Sequence, residues 1–156
     1  MTPLPDPNYP FVEQDPLTLL AMCIWGEARG VSDAAKQAVG CVVRNRVGYQ
    51  GRFGRGWSGV ILKPYQFSSF NINDPNRAKL LEPTKAEPQA VWDACYAVAE
   101  AVYTGKVTDP TRNAVFYYSA PLMEPPKIWA DVQETFAVDR MHFFRIPPTP
   151  LPPLAA

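Results

Sequence analysis

An almost unbroken apolar run from Leu17 to Trp25 follows Asp15, a good helix N-cap, and Pro16, which suits the first helical position. The pattern predicts a helix that Gly26 and Gly30 weaken and stop. At about 100° per residue, Leu17, Leu20, Ala21, Ile24 and Ala28 share one face, and Glu27 falls on its edge beside Leu20. A second helix is predicted from an N-cap at Ser32 through about Val47, with Ala35, Ala38, Val39, Val42 and Val43 inward and Gly48 after its end. Gly40 inside it points to close helix contact. A third long helix should start near Pro88 and end at Gly105, its inner stripe being Val91, Ala94, Cys95, Val98, Ala99 and Val102, flanked by Trp92 and Tyr96.

Elsewhere the pattern breaks. Gly48 to Gly59 carries five glycines with Arg52, Arg55 and Trp57, and is expected to be an irregular loop. Val60 to Phe70 reads as a short ordered run ending in aromatic, amide and hydroxyl side chains, the mixture that binds sugar rings and their hydroxyls. Asp109-Pro110-Thr111 is a turn, and Ala114 to Tyr118 is an apolar run whose periodicity does not decide between strand and helix. Thr135 to Val138 and Met141 to Ile146, around Asp139-Arg140, are expected to form a small hairpin. The fold class is therefore α+β, mainly α: a compact single domain with a small C-terminal β-hairpin.

Composition narrows this further. A chain of 156 residues with 47% hydrophobic and 19% charged content supports one globular domain with a real core. Of the 18 prolines, four lie in the first ten residues and five in the last ten, so 1–10 and 147–156 read as extended proline-rich tails around a domain at 11–146. No stretch approaches the length of a membrane span, and the N-terminus lacks the basic start and apolar core of a secretory signal. A soluble, cytoplasmically made monomer without stable membrane insertion is expected. Cys23, Cys41 and Cys95 are odd in number, lie in apolar helical patterns and lack metal-type spacing, which makes them buried free thiols. With one histidine and no ligand-spaced cluster, a zinc amidase is a poor reading, and neither metal nor cofactor is expected. A cysteine peptidase is disfavoured because no cysteine stands at an electropositive helix start.

The net charge of zero hides an asymmetry: residues 34–73 contain no acid but carry Lys36, Arg44, Arg46, Arg52, Arg55 and Lys63, six positive charges. Such a patch attracts any polyanion. No helix-turn-helix, zinc-finger or ribonucleoprotein-type signature surrounds it, so nucleic acid is not the expected partner, whereas a polysaccharide bearing peptide carboxylates fits.

Glu27 is the strongest candidate for chemistry. A carboxyl at the edge of an apolar face loses hydration, and a rise of roughly two pKa units, worth about 2.7 kcal/mol, leaves it largely protonated near pH 6. That is the state a general acid needs; the bland alternative is an ion pair with Arg29 or Arg44 at a helix end. Tyr117 and Tyr118 would point to opposite sides of a strand, one able to hold a sugar or to bond Glu27, and Tyr117 is preferred as that partner. Gln66 is a candidate substrate ligand, and Trp57 and Trp129 are candidate sugar platforms. Arg29 would orient Glu27, pair with a substrate carboxylate, or cap its own helix. His142, among Phe143 and Phe144, reads as a hydrogen-bonded structural residue.

Several pieces in order give the chain a family resemblance: Trp25-Gly26-Glu27-Ala28-Arg29-Gly30, Val43-Arg44-Asn45-Arg46-Val47, Tyr65-Gln66-Phe67-Ser68, Asp109-Pro110-Thr111 with Asn113 to Tyr118, and His142-Phe143-Phe144-Arg145. Over roughly Leu17 to Arg145 it resembles the SleB-type cell wall hydrolases, the spore-cortex-lytic enzyme family. The resemblance implies a lysozyme-like domain that cleaves peptidoglycan glycan strands. It also implies that the residue matching Glu27 is the catalyst and that the cleft draws on Gln66, Tyr117 or Tyr118; Tyr65 and Ser68, in the same piece as Gln66, join the expected substrate contacts. A leaderless single domain looks more like a bacteriophage endolysin than a spore enzyme, acting on the wall after the inner membrane is breached. Ordinary glycosidases need two carboxylates, but Asp33, Asp109 and Asp139 each read as structural. A lytic transglycosylase, with Glu27 alone as acid and then base, is thus preferred over a hydrolytic muramidase or a module that only binds peptidoglycan.

Overall fold

The computed structural model describes residues 2–49, 51–120 and 131–147. Asp15 accepts the Thr18 N–H at 3.2 Å and Pro16 opens helix α1 (Pro16–Ala28), as the local chemistry requires. Ser32 caps α2 (Asp33–Val47) through the Ala35 N–H, and the helix closes with the Gly48 N–H on the Arg44 carbonyl and the Tyr49 N–H on the Arg46 carbonyl, both at 3.1 Å. Pro88 precedes α6 (Gln89–Tyr103), and Gly105, at φ 76°, ends that region. Short helices α3 (Gly56–Ile61), α4 (Arg77–Leu80) and α5 (Pro83–Ala86), with 3₁₀ turns at Phe11–Glu13 and Ser68–Phe70, fill the space between them.

The expected one-sided face of α1 is not what the fold uses. Leu19, Leu20, Ala21, Met22, Cys23, Ile24 and Trp25 are all fully buried, while Leu17 is half-exposed. The helix is the axis of the domain, packed by α6, α2 and α3, and a helix enclosed on all sides has no polar face to alternate with. Nor does Gly26 stop it: the helix runs on to Ala28. On α6, Trp92 is fully buried while Val91 and Ala94 are half-exposed, a small rotation of the expected stripe. The three cysteines are buried and free, as their spacing implies.

The glycine-rich segment is partly regular. Gly56 to Gly59 begin α3 because Val60 and Ile61 are fully buried and the turn before them can adopt left-handed backbone at Gly54 and Gly56. At Gly54 a Cβ would lie 2.3 Å from the Gly59 carbonyl oxygen, so glycine is required there.

The chain closes in one antiparallel sheet of order β1-β3-β2, with β1 Phe116–Ser119, β2 Gln133–Val138 and β3 Met141–Arg145. The expected hairpin is β2–β3, turning at Asp139 (φ 54°) and irregular between Glu134 and Phe136. The ambiguous run is strand β1, paired so that Tyr117 faces Phe143 and Tyr118 faces His142. His142 Nδ1 lies 2.5 Å from Glu134 Oε1, a structural role as expected.

Within the proline-rich N-terminal segment, the Pro3 carbonyl accepts the Trp92 indole N–H at 2.8 Å, and Gln14 bonds the Asp6 and Tyr9 carbonyls at 2.8 and 3.0 Å. The C-terminal segment lies outside the described residues apart from Pro147. No helix among the described residues is long and apolar enough to cross a membrane.

Candidate active site

Glu27 stands in the last turn of α1, where the buried axis of the domain reaches the surface, and is half-buried. Tyr117 on β1 donates its phenol O–H to Glu27 Oε1 at 2.6 Å, and Ser69 in the 3₁₀ turn donates Oγ–H to Oε2 at 3.3 Å. Burial raises the Glu27 pKa; the two hydroxyl bonds and nearby Arg46 oppose the rise, and Asp74 adds to it, leaving the net direction upward. Burial and the neighbouring Glu27 push Tyr117 well above the ordinary tyrosine range, so it remains a donor. The upward direction follows from burial, and Tyr117 is the tyrosine that meets Glu27: Tyr118 lies on the other face of the strand, stacked on His142 and Phe144 at centroid distances of 5.1 and 5.7 Å.

Arg46 is the residue that sequence reasoning missed. It is 5% exposed, donates Nε–H to the Val115 carbonyl at 2.7 Å and Nη1–H to Gln66 Oε1 at 3.5 Å. Its guanidinium lies over Phe67, Phe53 and Phe116 at 5.0, 5.2 and 5.8 Å. A desolvated cation beside Glu27 favours the carboxylate form without neutralising the residue's acidity, since burial still dominates. The signal was present: Ala35, Val39, Val42 and Arg46 follow helical spacing, so the arginine sits on the inner stripe of α2. The expected basic patch is correspondingly smaller. Lys36, also 5% exposed, bonds the Val31 carbonyl, and Arg44 bonds the Val102 and Val107 carbonyls, so half of the six charges are committed inward.

The other expected contacts separate. Gln66 is exposed and reaches the site through Arg46; Ser68 is exposed, while its neighbour Ser69 makes the contact with Glu27. Arg29 bonds the Trp25 carbonyl and Asn76 Oδ1, lies 3.6 Å from Glu87 and covers the Trp25 ring, so it neither pairs with Glu27 nor orients it. Trp57 is half-exposed and packs on Tyr103 at 5.0 Å. Trp129 lies outside the described residues. Tyr65 is 85% exposed at φ 65°, a left-handed backbone that costs a non-glycine residue about 1–2 kcal/mol. Asp109 holds its turn through Thr111, Asn113 and Asn45, Asp139 accepts from Ser32, and Asp33 lies by Lys36, so none of the three serves Glu27.

Gly26 explains how Ser69 comes so near: a Cβ there would stand 2.6 Å from Ser69 Oγ and 2.7 Å from Ser69 Cβ. Gly26→Ala should therefore displace the 3₁₀ turn. Helix propensity recovers about 1 kcal/mol, but overpacking costs about 1–3 kcal/mol, so a lower melting temperature is expected. Restoration of that temperature by Ser69→Gly in the same chain checks the cause.

A family model described as Cell Wall Hydrolase matches residues 30–144, most of the chain. The chain belongs to the cell wall hydrolase family. The match begins just after Glu27, so the placement of that residue rests on the geometry above. Among curated relatives of this chain, the spore cortex-lytic enzyme of Bacillus cereus is 29% identical over 120 residues, 77% of this chain and 40% of the relative. That of Bacillus subtilis is 26% identical over 117 residues, 75% and 33% respectively. The chain thus spans two fifths or less of the length of these relatives. In fold it is similar to the catalytic domain of the germination-specific lytic transglycosylase SleB from Bacillus anthracis (TM-score 0.65, 22% identity, 89% of this chain and 98% of that one). It is likewise similar to the catalytic domain of the Bacillus cereus SleB protein (TM-score 0.60, 23% identity, 90% and 95%). The expected compact, mainly helical α+β architecture is that fold.

Proposed function

We propose that this chain cleaves peptidoglycan glycan strands as a lytic transglycosylase, with Glu27 as both acid and base. The observation that carries the reading is one desolvated carboxyl, pKa raised, fixed by the Tyr117 phenol, while Asp33, Asp109 and Asp139 are committed elsewhere. Protonated Glu27 gives its proton to the glycosidic oxygen as the bond from the muramic anomeric carbon breaks. The resulting carboxylate, with Arg46 nearby, takes the proton of the muramic 6-hydroxyl as that oxygen bonds the anomeric carbon. The product carries a 1,6-anhydro ring, Glu27 is protonated again, and no water is consumed. Tyr117 holds the carboxyl in place and donates to whichever charge state is present. The family membership and the fold likeness to a lytic transglycosylase domain support this assignment.

One observation favours a second reading. Asp74 lies close enough for its charge to raise Glu27, so it is the residue that would serve a hydrolytic muramidase as second carboxylate. Mass spectrometry of muropeptides released from purified peptidoglycan separates the two. Anhydro-muramic ends are expected; reducing muramic ends, lost in Asp74→Asn, would establish the hydrolase instead.

A further inference from the structure

Of residues 2–14 only Pro5, Phe11 and Gln14 are buried, whereas Leu4, Tyr9 and Val12 are exposed. The segment is nevertheless fixed, because the Trp92 indole holds the Pro3 carbonyl and the Gln14 amide ties the backbone of Asp6 and Tyr9. Phe11 is thus the one large apolar side chain that this anchored stretch turns inward, and it lands on the turn that carries Ser69. Its ring meets Phe70 edge-on at 5.2 Å, and the Arg77 guanidinium lies 4.9 Å over it while donating Nη1–H to the Phe70 carbonyl. Phe70 follows Ser69 directly and closes the 3₁₀ turn with its N–H on the Phe67 carbonyl at 3.1 Å. Towards α1 the turn is already at the limit of approach, since a Cβ at Gly26 would stand 2.6 Å from Ser69 Oγ. Gly26 lets Ser69 come in, and the Phe11, Phe70 and Arg77 cluster keeps it from backing out.

The oxygen that Ser69 meets gives this brace its meaning. Tyr117 occupies Glu27 Oε1 as a donor at 2.6 Å, which leaves Oε2, 3.3 Å from Ser69 Oγ, to carry the transferable proton. A hydroxyl both accepts and donates, and changes from one to the other by turning about a single bond.

We propose that Ser69 is a catalytic residue that follows the charge of Glu27, and that Phe11, which lies outside the family match at 30–144, is the positioning residue that holds it there. Ser69 accepts from Oε2–H while Glu27 is an acid. Once that proton has passed to the glycosidic oxygen, the hydroxyl turns and donates to the carboxylate left behind, until Oε2 takes the proton of the muramic 6-hydroxyl. The inference rests on the glycan-cleaving reading and adds a participant to it.

For the test, Ser69→Ala, Phe11→Ala, Phe11→Leu and the double variant Phe11→Ala/Ser69→Ala are compared in the full chain. The Glu27 carboxyl is followed by carbon NMR titration and turnover is measured on purified peptidoglycan. The Ser69 bond holds the Glu27 pKa down, so Ser69→Ala should raise it and lower kcat about tenfold at unchanged KM, the effect of one hydrogen bond to a charged group. Phe11→Ala should move the titration in the same direction, and the double variant should match Ser69→Ala alone, because both changes act through one hydroxyl. Phe11→Leu loses the ring edge but keeps apolar volume; it should give a smaller shift of the same sign, and is read in place of the alanine variant if that one does not fold. Cys23, Arg46, Asp74 and Tyr117, the charged and titratable groups around Glu27, are retained in every variant. A Glu27 titration that the Phe11 changes leave unmoved while the melting temperature falls would overturn the proposal, as would shifts that simply add. If the carboxyl responds as expected but the unmodified chain releases no glycan products, the brace on Glu27 stands and the cleavage reading falls.

Discussion

In Glu27→Gln, release of products from purified peptidoglycan falls about 10³-fold, the loss expected when a positioned acid–base group is removed, while affinity for the strands persists. The side chains are nearly isosteric, and a glutamine carbonyl still accepts the Tyr117 O–H that Glu27 accepts at 2.6 Å. A module that merely binds the wall would show no such loss. Turnover by the unmodified chain should decline as pH rises through the raised Glu27 pKa, because the acid form is consumed first. Stability follows the same sign: a carboxyl whose folded pKa lies above its unfolded value stabilises most below the unfolded value and loses that contribution as pH rises through the folded one. The glutamine variant has no such loss, so its advantage in urea midpoint should grow from about pH 4 towards neutrality.

Arg46→Met should lower both stability and turnover. The variant leaves the Val115 carbonyl without the Nε–H that reaches it at 2.7 Å, an unsatisfied buried acceptor worth about 1–3 kcal/mol. Methionine still fills the space among Phe53, Phe67 and Phe116, so the loss is polar rather than a large cavity. Because Arg46 holds the Glu27 pKa down, removing it moves the alkaline limb of the pH–rate profile to higher pH. The carboxylate formed after the first proton transfer also loses its nearby cation, and turnover should drop about 10²-fold. Urea unfolding and a pH–rate profile of the same preparation check both effects; an alkaline limb that does not move would remove Arg46 from the electrostatics of the site.

Local chemistry made the helices readable. Asp15, Ser32 and Gly48 act at short range and fall where their capping chemistry puts them. The wrapping of α1 was not readable, since a run apolar on all sides carries no periodicity to reveal what surrounds it. Strand β1 was ambiguous for a related reason: its partner β3 lies more than twenty residues further along the chain, and short apolar runs acquire their type from such partners. At the site, Glu27 was legible because it interrupts an apolar pattern, whereas Ser69 was indistinguishable from Ser68 until the turn at Phe67 had a direction. Asp74 was overlooked because nothing in its Asn-Asp-Pro surroundings separates a charge near a cleft from ordinary turn chemistry.

The strand order β1-β3-β2 also sets a timetable. Tyr117 belongs to an outer strand whose described backbone partner is β3; until residues 141–145 exist, that strand is held from the α2 side, by Arg46 on the Val115 carbonyl and Asn45 on the Ala114 carbonyl. During synthesis from the N-terminus, α1 and its carboxyl emerge early, and the strand that carries the phenol gains its backbone partner only when β3 follows. A chain that stopped before β3 would therefore offer Glu27 a phenol backed on one side only.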